Sequence, residues 1–170
     1  MKYVFLDVDG VLNNVNTDDM NPSGYTGVSM KLVRNLAKIV ERSAAKIVLT
    51  SDWKIEWSKN RFECGDDIVY LLDKLAKCNL SIFAITHDAK IEDRYFTDRG
   101  YGIRQFLESK DDVEGYVILD DHTFLDFDNE HKNHLVLTDS LKGLTDEDVD
   151  KAIDILTKNV RDGRDLWRYF

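Results

Sequence analysis

Tyr3-Val4-Phe5-Leu6-Asp7-Val8-Asp9-Gly10-Val11-Leu12 decides how this chain is read. Four apolar residues run into two carboxylates at alternate positions, then a glycine. A short, continuous apolar run of β-branched and aromatic residues marks a strand buried on both faces. Residues two apart on a strand point the same way, so Asp7 and Asp9 can share one side at its carboxyl end. Open α/β sheets bind ligands at that end. Gly10 permits a sharp turn or a close approach of the backbone. Two carboxylates this close repel unless a divalent cation or a shared proton separates them, and an oxygen-only site suits Mg²⁺. Alone, the stretch also fits an edge strand that ends in an Asp-Gly turn.

Downstream, the pattern repeats. A polar loop, residues 13–27, holds the only proline, Pro22, and is a candidate lid or specificity element, the alternative being a passive surface loop. Ser29 is placed to cap a helix over 30–43, in which Leu32, Val33, Leu36, Ile39 and Val40 recur at helical spacing. A second buried strand, 45–50, ends in the polar cluster Thr50-Ser51-Asp52-Trp53-Lys54. Strand, helix, strand is a right-handed βαβ unit with parallel strands. Their carboxyl ends therefore lie on one edge of the sheet, and Thr50 becomes a neighbour of Asp7. Residues 55–65 show little periodicity and read as loop with some helix.

A helix over 66–78 precedes a third strand, 80–85, which ends at Thr86-His87-Asp88. Lys90, Arg94 and Arg99 then supply cations ahead of a short helix over 98–109. Gly115-Tyr116-Val117-Ile118-Leu119-Asp120-Asp121 repeats the opening logic, an apolar run that delivers carboxylates at its end. A strand around 135–137 and a helix capped by Thr145 complete the pattern, with Asp146, Glu147 and Asp148 suited to the helix dipole in its first turn. Strands alternating with helices give a three-layer, Rossmann-like α/β fold, a parallel sheet flanked by helices.

At 170 residues the chain fits a single domain, 1–170, with 13–27 and 51–65 as loop inserts near the site. A net charge of −9 argues against an extended nucleic-acid binding face but leaves room for a local basic pocket for one phosphate. No apolar run approaches membrane-spanning length, and no leader pattern opens the chain; a cytoplasmic location with no membrane partner is the default expectation. Cys64 and Cys78 lack metal-ligand spacing and read as reduced thiols. The tail Leu166-Trp167-Arg168-Tyr169-Phe170 is too aromatic for a plain solvated terminus and is a candidate to pack on the body or to form a homodimer.

Asp7-Val8-Asp9-Gly10-Val11-Leu12, Thr50, Arg99 and Asp120-Asp121 together resemble the four motifs of the haloacid-dehalogenase (HAD) superfamily of phosphohydrolases. Val48-Leu49-Thr50-Ser51-Asp52-Trp53-Lys54 resembles the "SSxWR" signature of a small branch, the HAD domains of RNA-repair ("Swiss army knife") proteins, with Lys54 where Arg is usual. Arg99-Gly100, Ile103, Leu107 and Gly143-Leu144-Thr145 follow that branch too. The resemblance implies a HAD-like fold with at most a minimal cap, and a Mg²⁺-dependent phosphomonoester hydrolase working through an aspartyl-phosphate. Asp7 would be the nucleophile and Asp9 the acid and base, its backbone carbonyl turned to the metal. Thr50 and Ser51 would hold phosphate oxygens, with Lys54 and Arg94 as further substrate-binding residues. Arg99 would be the cation of the third motif, with Arg94 and Lys90 as rivals. Asp7, Asp9, Asp121 and Asp120 would form the metal site, and Asp126 an outer support.

Other readings stay open. Trp53 and Trp57 can pack in the core or stack on substrate, and Lys54 can be a plain surface residue. His87, His122, His131 and His134 lack the spacing of a zinc face. The substrate is a phosphorylated small molecule, such as a nucleotide, or a nucleic-acid terminus. The alternative to an enzyme is a catalytically silent HAD-fold binding or regulatory module.

Overall fold

The structure is a computed structural model that describes residues 1–87, 90–91, 94–95 and 99–165, with the backbone alone for 90–91, 94–95 and 159–165. Its centre is β1 (Lys2–Leu6). The period-2 alternation of this strand builds two cores at once. Val4 and Leu6 enter one apolar cluster, with Val33, Leu36 and Ile39, Leu71 and Leu75, and Val149 and Leu156. Tyr3 and Phe5 enter the other, with Ile103, Tyr116, Ile118 and Phe127. All four are fully buried.

The first cluster is closed by α1 (Met30–Ser43), α2 (Asp66–Ala76) and, near the chain's end, Asp146–Asp165. The second is closed by α3 (Arg99–Glu108). Between these layers lie β2 (Lys46–Leu49), β3 (Ile82–Ile85), β6 (Gly115–Asp120) and β7 (Leu135–Leu137). The sheet runs β3-β2-β1-β6-β7 and every pairing in it is parallel. Leu6 stands opposite both Leu49 and Leu119, so Asp7, Thr50 and Asp120 leave the sheet at one level. The expected three-layer fold is therefore present.

Elements not foreseen are short. β4 (Lys90–Ile91) and β5 (Arg94–Tyr95) form a two-stranded antiparallel ribbon, the one accessory sheet among the described residues. Two short 3₁₀ helices, Asp52–Glu56 and Arg61–Glu63, occupy the 51–65 insert, where the sequence led to loop with some helix over 55–65 and the exact turns were not foreseen. A five-residue helix, α4 (Asn129–Asn133), is fixed by a capping box between Asp128 and His131. Pieces this short carry no apolar period to read. The final helix, α5, starts where Thr145 was expected to cap it, with the Asp148 amide 3.3 Å from Thr145 Oγ1. Ser29 is a correction: its side chain makes no cap bond, and its amide donates to Leu12 O instead. The tail, 166–170, lies outside the described residues. Among the described residues no helix is long and apolar enough to cross a membrane.

The loop after β1 is tied down from several sides. Asp7 N–H donates to Leu119 O, Leu12 N–H to Val8 O, and Leu144 N–H to Val11 O. The Thr138 hydroxyl, just past β7, donates to Gly10 O at 2.8 Å in a buried setting. Thr138→Val keeps the shape and leaves that carbonyl without its donor. The expected loss is about 1–3 kcal/mol of stability, the desolvation penalty of one orphaned group, read as a lower urea midpoint with an unchanged m-value. An unchanged midpoint would mean the carbonyl finds another donor.

Candidate functional site

Parallel strands ending at one level bring Asp7, Thr50, Thr86 and Asp120 to the same edge of the sheet. Charge decides what happens there. Asp7 is 6% exposed and Asp120 is fully buried, so both carboxylates have lost most of their water. Arg99, the first residue of α3, lies between them: its Nη1 is 2.7 Å from Asp7 Oδ1 and 2.6 Å from Asp120 Oδ2. Burial pushes the Asp7 carboxyl up to about 6, against the pull of Arg99. Burial also raises Asp120, again opposed by Arg99.

The position of Arg99 is set by its helix. Asp126 Oδ2 accepts the Tyr101 N–H at 2.7 Å, which anchors the first turn of α3. A Cβ on Gly100 would lie 2.7 Å from the Asp126 carbonyl oxygen, so the loop closes on the helix only because that residue is glycine. The Phe124 ring covers the guanidinium, 4.5 Å from Cζ to centroid. Asp126 thus braces the start of α3, the helix that carries Arg99. The Phe124 contact was not foreseen, since a lone aromatic in a polar loop carries no periodic signal.

Asp9 faces another way. Its Oδ1 accepts the Asn13 side-chain amide at 2.8 Å and its Oδ2 accepts the Trp53 indole N–H at 3.0 Å. Asn13 Oδ1 in turn accepts the Gly10 N–H at 2.9 Å. Asn13 and Trp53 are therefore the orienting residues of Asp9. The Asn13 part of this arrangement was not read from the sequence. Trp53 packs against the main core, one of the two readings open to it, and in addition its indole N–H holds a carboxylate.

Thr50 is 1% exposed, and among the described residues its Oγ1 has no hydrogen-bond partner. Buried hydroxyls are rarely left so. Ser51 opens the first 3₁₀ helix, its Oγ accepting the Trp53 N–H at 3.5 Å. Lys54 is buried, with Nζ donating to Thr50 O at 3.3 Å and Thr86 Oγ1 at 3.1 Å. Lys90 and Arg94 belong by their backbones to the β4–β5 ribbon, and their side chains lie outside the described residues.

Asp121 packs against the backbone of the first loop. Gly10 has a φ of +74°, and a Cβ there would collide with the Asp121 carboxylate. Glycine is thus required twice, by conformation and by contact. Asp121 Oδ1 is 2.5 Å from His122 Nδ1, and this hydrogen bond raises the His122 pKa. Ligand atoms of Asp120, Asp121 and His122 lie within 4.8 Å of one another, a grouping that can hold a metal ion. Asp120 is already engaged, by Arg99 at Oδ2 and by the His122 amide at Oδ1. His131 serves structure, in the capping box and stacked on Phe127.

The raised Asp7 carboxyl has a thermodynamic consequence. A carboxyl whose pKa is higher folded than unfolded lowers stability as pH rises from the usual carboxylate range to about 6, and the full loss persists above that. Asp7→Asn, which still offers a carbonyl oxygen to Arg99, should stabilise the metal-free protein by about 3 kcal/mol at pH 8. The gain should fade as pH falls below about 5. Chemical denaturation in chelator at the two pH values checks this; equal stability of both proteins at pH 8 would contradict the picture of a strained carboxylate.

Residues 3–149 match the family described as the HAD domain in Swiss Army Knife RNA repair proteins. No curated protein and no solved structure matches the chain. The matched span runs from β1 into the first turn of α5 and takes in Asp7, Asp9, Thr50, Arg99, Asp120 and Asp121. With its parallel five-stranded sheet and acidic strand ends, the chain belongs to this branch of HAD domains, within a superfamily of phosphohydrolases.

Proposed function

We propose that the protein hydrolyses phosphomonoesters through a phosphorylated Asp7, and that it requires Mg²⁺. The observation that carries this reading is the Arg99 bridge, which holds one oxygen of a buried aspartate at the sheet edge. Among the described residues the second oxygen, Oδ2, has no hydrogen-bond partner and is left to attack.

The steps follow from the side chains. Asp7 Oδ2 attacks phosphorus, and the bond from phosphorus to the ester oxygen breaks. Asp9, held by Asn13 and Trp53, gives a proton to that departing oxygen. It then takes one from the water that attacks the acyl phosphate, which releases inorganic phosphate and restores Asp7. Thr50 Oγ1, unpartnered among the described residues, donates to a phosphoryl oxygen. Arg99 offsets the charge gathered on Asp7 and the phosphoryl group.

Hard oxygen donors are available for a divalent ion from the Asp7 and Asp121 carboxylates and the Asp9 carbonyl, a set that fits Mg²⁺. Asp120 would act through Arg99, the cation it already binds. Such an ion would neutralise developing charge on the transferred group. Both carboxylates, Asp7 and Asp9, are held in place by specific partners, which favours an enzyme over a silent module.

Two measurements test the reading. Hydrolysis of an aryl phosphate should depend on Mg²⁺ and fall by at least about a thousandfold in Asp7→Asn, the scale expected when a covalent nucleophile is lost. A full rate in excess chelator would remove the metal, and an unchanged rate in the variant would remove the nucleophile. Trp53→Phe should lower kcat by about tenfold, the worth of one hydrogen bond to a charged group, with KM within about twofold. An unaltered kcat would free Asp9 from any dependence on the indole.

A further inference from the structure

A groove of about 620 Å³ opens beside Asp9. Its walls come from both loop inserts and from α2. Tyr25, Trp53 and Ile55 supply apolar surface, while Asp52, Glu56 and Asp67 add carboxylates to that of Asp9. No lysine or arginine lines it among the described residues. Asp52 and Glu56 form no ion pair among the described residues. Tyr25 and Ile55 are 73% and 79% exposed, large apolar side chains held in water beside a reacting group. Single exposed apolar residues need no explanation, but two that line the same groove do.

Geometry decides what this groove receives. In the proposed reaction Asp9 protonates the leaving oxygen, so the rest of the leaving group must extend from Asp9. A second groove, of about 770 Å³, carries Lys59, Lys110, Trp57 and Tyr101, but it borders Thr86 and not Asp9. The leaving group therefore meets apolar walls and negative charge.

We infer that this groove selects the substrate: it takes a single phosphomonoester whose leaving group is uncharged or cationic and has a flat or apolar body, and it rejects one that continues as a polyanion. The inference rests on the hydrolase reading and sharpens it. A nucleoside or an aminated aryl alcohol fits these walls. A nucleic-acid strand, with a phosphate at every step, would place further anions among the four carboxylates.

The test compares size-matched esters in Mg²⁺: phenyl phosphate, 4-(aminomethyl)phenyl phosphate and 4-carboxyphenyl phosphate. For the wild-type protein kcat/KM should favour the amine over the carboxylate by at least about tenfold, in line with focused surface charge in a cleft. The double variant Asp52→Asn/Glu56→Gln changes exposed residues outside the catalytic set. It should reduce that ratio to about twofold or less, and Glu56→Lys should invert it. A nucleoside monophosphate should likewise outcompete an oligonucleotide bearing the same terminal phosphate. A ratio that is equal in wild type and variants, or a preference for the oligonucleotide, would overturn the inference and leave the hydrolase intact. No turnover of any ester would withdraw both. Circular dichroism establishes that each variant is folded.

Discussion

One guanidinium makes the carboxyl edge of this sheet tenable. Parallel pairing puts Asp7 and Asp120 at the same level on adjacent strands, both stripped of water. Two buried anions at that separation would not remain ionised together unaided. Arg99 binds both through one nitrogen, and its helix is fixed by Asp126 and roofed by Phe124. A planar, delocalised cation suits this place better than an ammonium group, since it can bond at its edge while its face lies on an aromatic ring. The loops at this edge are arranged to keep that cation where it is.

What the chain revealed before folding, and what it hid, divides along physical lines. β1 and β6 were legible because strands buried on both faces must be apolar throughout, and both runs end in carboxylates. Helix α1 was legible because its apolar stripe faces a sheet. From these alone the shared edge of Asp7, Thr50 and Asp120 follows. The ribbon between Lys90 and Tyr95, the exact 3₁₀ turns and α4 were not, since their stability comes from local hydrogen bonds and caps. The partners of Asp9 were hidden for a further reason. Asn13 is four residues away and Trp53 forty-four, and neither position belongs to a repeating pattern. Side-chain hydrogen bonds are set by the folded backbone, which only the topology can supply.

The two inserts, 13–27 and 51–65, look unrelated along the chain, yet they meet at Asp9. One brings Asn13 and Tyr25, the other Trp53, Ile55 and Glu56. The same segments orient a carboxylate and shape the space next to it. The placement of Asp9 and the shape of the groove are thereby coupled, because a change that moves either loop shifts the carboxylate as well as the wall. The ion-paired groups Asp7, Arg99 and Asp120 sit apart from this, on the sheet and on α3.

The bond from Thr138 to Gly10 has a bearing on how the molecule is made. The loop of the Asp7–Leu12 motif is completed by Thr138 and Leu144, which are made more than a hundred residues after it. Its strand pairs on one side with β6, equally remote. Until those segments emerge, the nascent chain carries an apolar strand with an open flank and an unfinished acidic turn. Assembly of this kind, governed by distant contacts, is slow and exposes sticky surface. The acidic edge around Asp7 therefore cannot form piecemeal during synthesis; it forms only once β6, Thr138 and Leu144 are also in hand.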